Sequence, residues 1–245
     1  LNQPVSTTEL DTRARLLDAA GPVFAARGFD RATVREICAS AGVNIASVGY
    51  HFGDKMGLYR ELILQIREER EREFPTPVDT DVEPTVMLDR IIRTIMSRIL
   101  TVSPSGWESQ LFMREMQNPT PVFQDIVRDY FQPIYVRLKM TLVALIRENW
   151  QSGQSAASSP SSDPPQTNTD PGLSLPVADH VVEQLTLSVI GQCIYYKVGA
   201  ETIEILIPEQ SRQQHFDIDT ICRHITAVTL AAVSSDDVTR PRKQS

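Results

Sequence analysis

The sequence predicts an all-α protein built from two helical domains, and three observations carry that expectation. Apolar residues recur at helical spacing along nearly all of the 245 residues. Strand-like alternation bounded by turn signals is almost absent. Helix caps and stops fall where the periodic segments begin and end. With 41% apolar and 22% charged residues, the chain has the composition of a protein with a core. No apolar run approaches the roughly 18 residues of a membrane span, and no secretory leader pattern opens the chain. Cys38, Cys193 and Cys222 lie far apart without CxxC spacing. They argue against a disulfide scaffold or a structural zinc site, and for a cytoplasmic, reducing setting.

Leu17, Ala20, Gly21 and Phe24 stand at i, i+3, i+4 and i+7, predicting a first helix from about Thr12 to Arg27 that Gly28 ends. Pro22 lies inside it and predicts a kink. Thr33-Val34-Arg35-Glu36 reads as a capping box, with Thr33 capping a second helix and Glu36 reaching back to it. Gly42 closes that helix. Asn44 caps a short third helix, Ile45 to His51, and Gly53 breaks the chain. Asp54 then caps a long fourth helix running to about Phe74. Pro75, Pro77 and Pro84 mark a linker. Further helices follow over 85–102, 107–117, 121–131, 133–150, 177–199 and 217–234, with Pro133 breaking or kinking one of them. Residues 151–176 hold seven Ser and five Pro but no Lys, Arg or aromatic residue, and read as a flexible loop. The domains are expected at 1–54 and 55–245.

The net charge of −7 is unevenly spread. Residues 1–72 carry ten basic and ten acidic side chains, so the remainder holds the whole excess. Between residues 31 and 60, Arg31, Arg35, Lys55 and Arg60 face only Glu36 and Asp54. A basic segment in front of an acidic body can bind DNA through that segment alone. Two short helices joined by a Gly-containing turn have helix-turn-helix geometry. Val34, Ile37, Ala41, Val43 and Val48 would hold the pair against the first helix. The other face of the third helix presents Asn44, Ala46, Ser47, Tyr50 and His51. Small Ala46 and Ser47 allow deep entry into a major groove, while Tyr50 and His51 can donate to phosphate oxygens.

Leu16 to Leu62, and above all the string from Asn44 to Tyr59, resembles the DNA-binding domain of the TetR family of bacterial regulators. The resemblance implies a homodimer on a palindromic operator, with one recognition helix per half-site and a C-terminal domain that binds an effector. It makes Thr33, Asn44, Ala46, Ser47, Tyr50, His51 and Lys55 DNA-contacting, and Arg35 of the same basic segment is grouped with them. Gly49 departs from the family, where a larger residue is common. Arg114 to Pro121 and Ser188 to Cys193 are similar to the CecR-like subgroup, which is linked to antibiotic sensitivity or efflux.

Trp107, Phe112, Met113, Met116, Phe131 and Tyr135 form an aromatic and Met stripe that fits either a core or an adaptable apolar pocket. Arg114, Gln117, Gln192 and Tyr196 are polar candidates beside it, or caps within the core. A small, largely apolar effector is expected there, together with a repressor released by it. Leu185, Val189, Gln192, Cys193 and Tyr196 on one helix, and Ile221, Ile225, Val228 and Ala232 on another, are expected to line the dimer interface. Asp179, His180 and Glu183 read as a helix start rather than a metal cluster, and no catalytic triad, phosphate loop or cofactor motif is found. Two alternatives stay open. One is an interaction protein that has lost specific DNA binding; the other is a helical enzyme using the apolar cavity.

Overall fold

The structure, a computed structural model, describes residues 7–101, 106–157 and 177–239. Among them no strand occurs, and contacts group the chain into two compact units. One unit is Leu1–Pro75 with Thr101–Gln132, and the other is Thr76–Leu100 with Pro133–Ser245. Packing therefore groups the chain differently from a functional division at residue 54.

The first unit holds α1 (Thr7–Arg31), α2 (Val34–Ala41), α3 (Ala46–Phe52), α4 (Lys55–Glu73), α6 (Trp107–Gln117) and α7 (Phe123–Ile126). Helix α1 is not broken at Pro22; the non-helical residue is Gly28, at φ 75° and ψ 164°. Pro22 faces solvent, so water can serve the Asp18 carbonyl that lacks a donor. Thr33 caps α2 as expected, accepting from the Glu36 N–H at 3.2 Å. The Glu36 carboxylate does not complete the box but pairs with Arg27 at 3.3 Å. Leu16, Ala20 and Phe24 of α1, Ile37, Val48, Leu58, Leu62, Leu111 and Ile126 are buried in one core. Leu111 brings α6 into it, so α6 packs on α1.

The expected helix over 121–131 is instead α7 followed by a π-helical turn, Val127–Phe131. The Gln132 N–H bonds to the Val127 carbonyl, five residues back. Pro133, next in line, has no N–H to continue a four-residue ladder, which accounts for the wider turn.

The second unit contains α5 (Pro84–Leu100), α8 (Gln132–Ala157), α9 (Asp179–Val198) and α12 (Ile218–Val233) around one core. Leu88, Ile92, Leu138, Leu142, Val182, Val189 and Ile225 lie at its centre. Three arginines tie the linker down: Arg98 to Thr76 at 2.9 Å, Arg90 to Asp79 at 2.9 Å, and Arg137 to the Asp79 carbonyl. Helix α8 runs through Ala157, so the first seven residues of the expected 151–176 loop are helical; Ser152 donates back to the Glu148 carbonyl at 2.9 Å. Residues 158–176 lie outside the described residues. Short helices α10 (Ala200–Leu206), α11 (Glu209–His215) and α13 (Asp236–Thr239) were not expected. Each spans two turns or less, too short for a periodic pattern to declare itself.

Much of the expected dimer stripe is corrected, while Val228 of it is exposed. Leu185, Val189, Cys193, Ile221 and Ile225 are buried within their own chain, because the same apolar spacing serves the core of this unit. The exposed apolar residues of α9 are Leu187, Tyr195 and Val198.

Candidate nucleic-acid interface

The turn between α2 and α3 is built by Gly42 in the left-handed region, at φ 64° and ψ 37°. The Val43 N–H closes it on the Cys38 carbonyl at 3.0 Å. Arg15 of α1 donates to the Ala41 and Gly42 carbonyls at 2.6 and 3.1 Å, placing positive charge on the negative end of α2. Asn44 Oδ1 accepts from the Ala46 N–H at 2.9 Å. Val48, buried, pins α3 to the core. Asp54 caps α4 through the Gly57 N–H at 2.7 Å. Gly57 is obligatory there, since a Cβ would collide with the Phe52 carbonyl.

This frame leaves one face of α3 outward. Ala46, Gly49 and Tyr50 are exposed at i, i+3 and i+4, and Tyr50 is 74% exposed. Tyr50 meets the His51 ring edge-on at 4.9 Å between centroids. Ser47 and His51 are half-buried at its sides. Thr33, Arg35 and Asn44 are exposed around α3, on or just before the two helices. Arg13 lies over the Phe52 ring at 5.5 Å and pairs with Glu61.

Lys55 and Arg60 have partners that sequence reasoning did not assign. Lys55 Nζ donates to the carbonyls of Phe29 at 2.9 Å, Ala32 at 3.1 Å and Asp30 at 3.4 Å. It also lies 4.4 Å from the Phe29 ring centroid. Its donors close the α1–α2 junction. Arg60 pairs with Asp125 at 3.7 Å. Sequence reasoning also missed Arg15, which carries no local signal, and Ile45, which is 53% exposed beside Ala46.

Helix α6 is tied to α1 and α4 by specific groups. The Trp107 ring covers Gly21 so closely that a Cβ there would overlap it. Glu108 pairs with the buried Arg70 at 2.9 Å. Arg114 donates to the Ala25 and Ala26 carbonyls at 2.6 and 3.0 Å. Glu115, buried, accepts from the Tyr59 hydroxyl at 2.6 Å and from Thr120 N–H and Oγ1 at 3.2 Å each. Burial, and then the bond to Glu115, push the Tyr59 hydroxyl pKa well above the usual tyrosine value.

A cavity of about 220 Å³ opens between α4, α6, α7 and the π turn. Ile63, Phe112, Val122, Ile126 and Tyr130 supply its apolar surface, and Phe112 stacks on Tyr130 at 5.9 Å. Arg60, Arg67, Arg128, Asp125 and Asp129 supply its charges, and ion pairs join Arg67 to Asp129 at 3.6 Å and Arg128 to Asp125 at 2.8 Å. Of the side chains expected around an effector, Phe112 lines this cavity. Trp107 and Arg114 serve α1 as described, Met113 is half-buried, Met116 is exposed, and Phe131 packs on the first core. Tyr135, Gln192 and Tyr196 belong to the second unit. There Tyr196 meets Phe216 edge-on at 6.5 Å, and Gln192 bonds the Ser188 carbonyl at 3.4 Å. Burial pushes the Cys193 thiol up to about 12 and Cys222 up to about 11, so both stay protonated and unreactive at neutral pH. Glu183 pairs with Lys139 at 3.0 Å.

Comparison with known proteins agrees with this geometry. Residues 16–62 match the profile described as bacterial regulatory proteins of the tetR family. Residues 84–233 match the C-terminal domain of the HTH-type transcriptional dual regulator CecR. The chain is 29% identical over 156 residues to the HTH-type transcriptional dual regulator CecR of Shigella flexneri, covering 59% of this chain and 69% of that protein. It is 29% identical over 118 residues to the HTH-type transcriptional regulator UidR of Escherichia coli strain K12, covering 47% of this chain and 57% of that one. A tetR-family bacterial regulatory protein from Rhodococcus RHA1 shares the fold at TM-score 0.55 and 17% identity, covering 91% of this chain and 96% of that one. The relatives are transcriptional regulators rather than enzymes. A helix-turn-helix with an outward α3, followed by a helical domain matching over most of its length, places this chain in the TetR family of DNA-binding transcriptional regulators, with a CecR-type C-terminal domain.

Proposed function

We propose that the protein is a homodimeric repressor that binds a palindromic operator through α3 and is released by a small, largely apolar effector. The observation that carries the DNA reading is the outward face of α3, held in place by five separate devices: Arg15, Gly42, Asn44, Asp54 and Lys55. Thr33, Arg35, Tyr50 and His51 around it fit phosphate contacts, which position a helix in the groove without reading sequence. Lys55 acts one step back, by fixing the junction that carries Thr33.

The effector reading is supported by the cavity beside α4. An apolar molecule settling on Ile63, Phe112 and Ile126 would part α4 from the π turn, and the ion pairs of Arg60 and Arg67 span that same gap. Helix α4 begins directly after α3, so its displacement moves the recognition helix. In a dimer the two recognition helices meet half-sites at a fixed spacing, and a small shift weakens binding. The Shigella relative is described as a dual regulator, so the sign of regulation is tested separately, with a reporter.

The experiment is selection of duplexes from a random library by the full-length protein, followed by titration of the selected complex with hydrophobic antibiotics and related aromatics. Enrichment of an inverted repeat, a dimer in sedimentation, and release by an apolar compound support the proposal. Enrichment of nothing, with binding that only declines with salt, would favour an interaction protein in which Gly49 has cost the helix its specificity.

A further inference from the structure

The outward face of α3 carries an unusual chemistry for a helix that reads bases. From Asn44 to Phe52 there is no Arg, Lys, Gln or Glu. Guanine is read in the major groove mainly by Arg or Lys on O6 and N7, and adenine by an amide that bonds N6 and N7 together. The one amide here is Asn44, and its Oδ1 already accepts from the Ala46 N–H at 2.9 Å, which holds it as the cap of α3. Ser47 offers a hydroxyl, which pairs with any base.

What the face offers instead is apolar. Ile45 is 53% exposed although the core contact of α3 is made by Val48. The methyl of Ala46 is exposed next to it. One turn on, Gly49 has no side chain, and a Cβ built there would meet nothing within 4 Å. The three leave a low apolar strip on the exposed side of α3, with the exposed Tyr50 next in sequence. In the major groove of B-DNA the apolar feature that identifies a base is the thymine 5-methyl group.

We infer that Ile45 and Ala46 read thymine methyl groups, with Gly49 admitting the base edge, so that the operator half-site is specified by thymines facing this strip. The inference rests on α3 being the base-reading helix, as proposed above. It makes Ile45 a specificity residue and explains why a branched apolar side chain stands exposed before the helix.

The test uses the full-length protein and duplexes selected from a random library. Each selected duplex is rebuilt with deoxyuridine in place of thymidine, which removes the methyl and keeps base pairing. In parallel it is rebuilt with 7-deazaguanine, which removes the N7 acceptor. Affinity is expected to fall about fourfold for each methyl lost at the contacted positions, the value of one buried methyl group, and to stay unaltered on 7-deaza substitution. In Ile45→Ala the preference for thymine over uracil should shrink towards one; in Ile45→Gln selection should move towards adenine. Both changes are on the surface, and circular dichroism melts check that the fold is retained. Equal affinity for thymine and uracil duplexes at every half-site position, or loss of binding with 7-deazaguanine alone, overturns the inference while leaving sequence-specific binding intact. Failure to enrich any duplex overturns the base-reading role of α3 and the inference with it.

Discussion

Lys55 stands in the DNA-binding motif, and its ammonium group is engaged within its own chain. It serves three carbonyls at the α1–α2 junction and faces the Phe29 ring. Lys55→Met should lower stability by roughly 1–2 kcal/mol, because hydrogen bonds to a charged donor are lost in a half-buried place. Urea denaturation measures this. The salt dependence of DNA binding should be unchanged; a slope shallower by about 0.9 would instead mark Lys55 as a phosphate contact. Glycines make the same point in opposite directions. At Gly49 a methyl meets open space, so Gly49→Ala should stabilise the protein by up to about 1 kcal/mol through helix propensity. Tyr59 adds a pH dependence. Its neutral form is favoured in the folded state, so its contribution is complete below the ordinary tyrosine pKa and fades as pH rises above it. Thermal melts between pH 9 and 11 should show an alkaline loss that Tyr59→Phe reduces.

Helices in this chain are fixed at their ends by local chemistry and across their faces by distant partners. Gly21→Ala is favourable for an isolated helix by about 1 kcal/mol. Here it should destabilise, since the Trp107 ring occupies the space, and overpacking typically costs about 1–3 kcal/mol. Trp107→Leu combined with it should recover part of the loss, a non-additivity that calorimetry reads directly. At the start of α12, Asp217 accepts from the Thr220 hydroxyl at 2.7 Å and its N–H at 2.9 Å. The hydroxyl bond, then the backbone bond, hold its carboxyl below the usual carboxylate range. A depressed folded pKa means the cap is intact above the ordinary Asp value and is lost as pH falls through the folded one. Protection of the Thr220 amide, measured against its intrinsic exchange rate, should therefore fall in acid, and in Asp217→Ala be low at neutral pH too. These end devices were legible because cap and capped group lie two or three residues apart: Thr33 and Glu36, Asn44 and Ala46, Asp54 and Gly57. The cross-face partners were not. Lys55 finds Phe29, Arg114 finds Ala25, and Tyr59 finds Glu115, and nothing in the local pattern of either partner points to the other. The same limit misassigned Leu185, Val189 and Cys193 to a dimer face, because spacing shows that a stripe is apolar but not what covers it.

At the scale of the molecule, two compact units do not mean two exchangeable pieces of chain. The unit that presents α3 is assembled from residues before the linker and from 101–132 after it. Its core includes Leu111, Val122 and Ile126 from the later segment, and the Tyr59 hydroxyl and the Ala25 and Ala26 carbonyls find their partners there. A protein ending at residue 75 would expose the apolar side chains beneath α6 and leave those polar groups to water. It should melt well below the intact chain, with a broadened transition, in differential scanning calorimetry. Grafting the DNA-reading head onto another regulator, the ordinary route to a sensor with a new output, is therefore a matter of transplanting two separate stretches of sequence. A hybrid gene joined once, at residue 54 or 75, should yield a protein that is degraded in the cell. One that also carries 101–132 across should accumulate and bind.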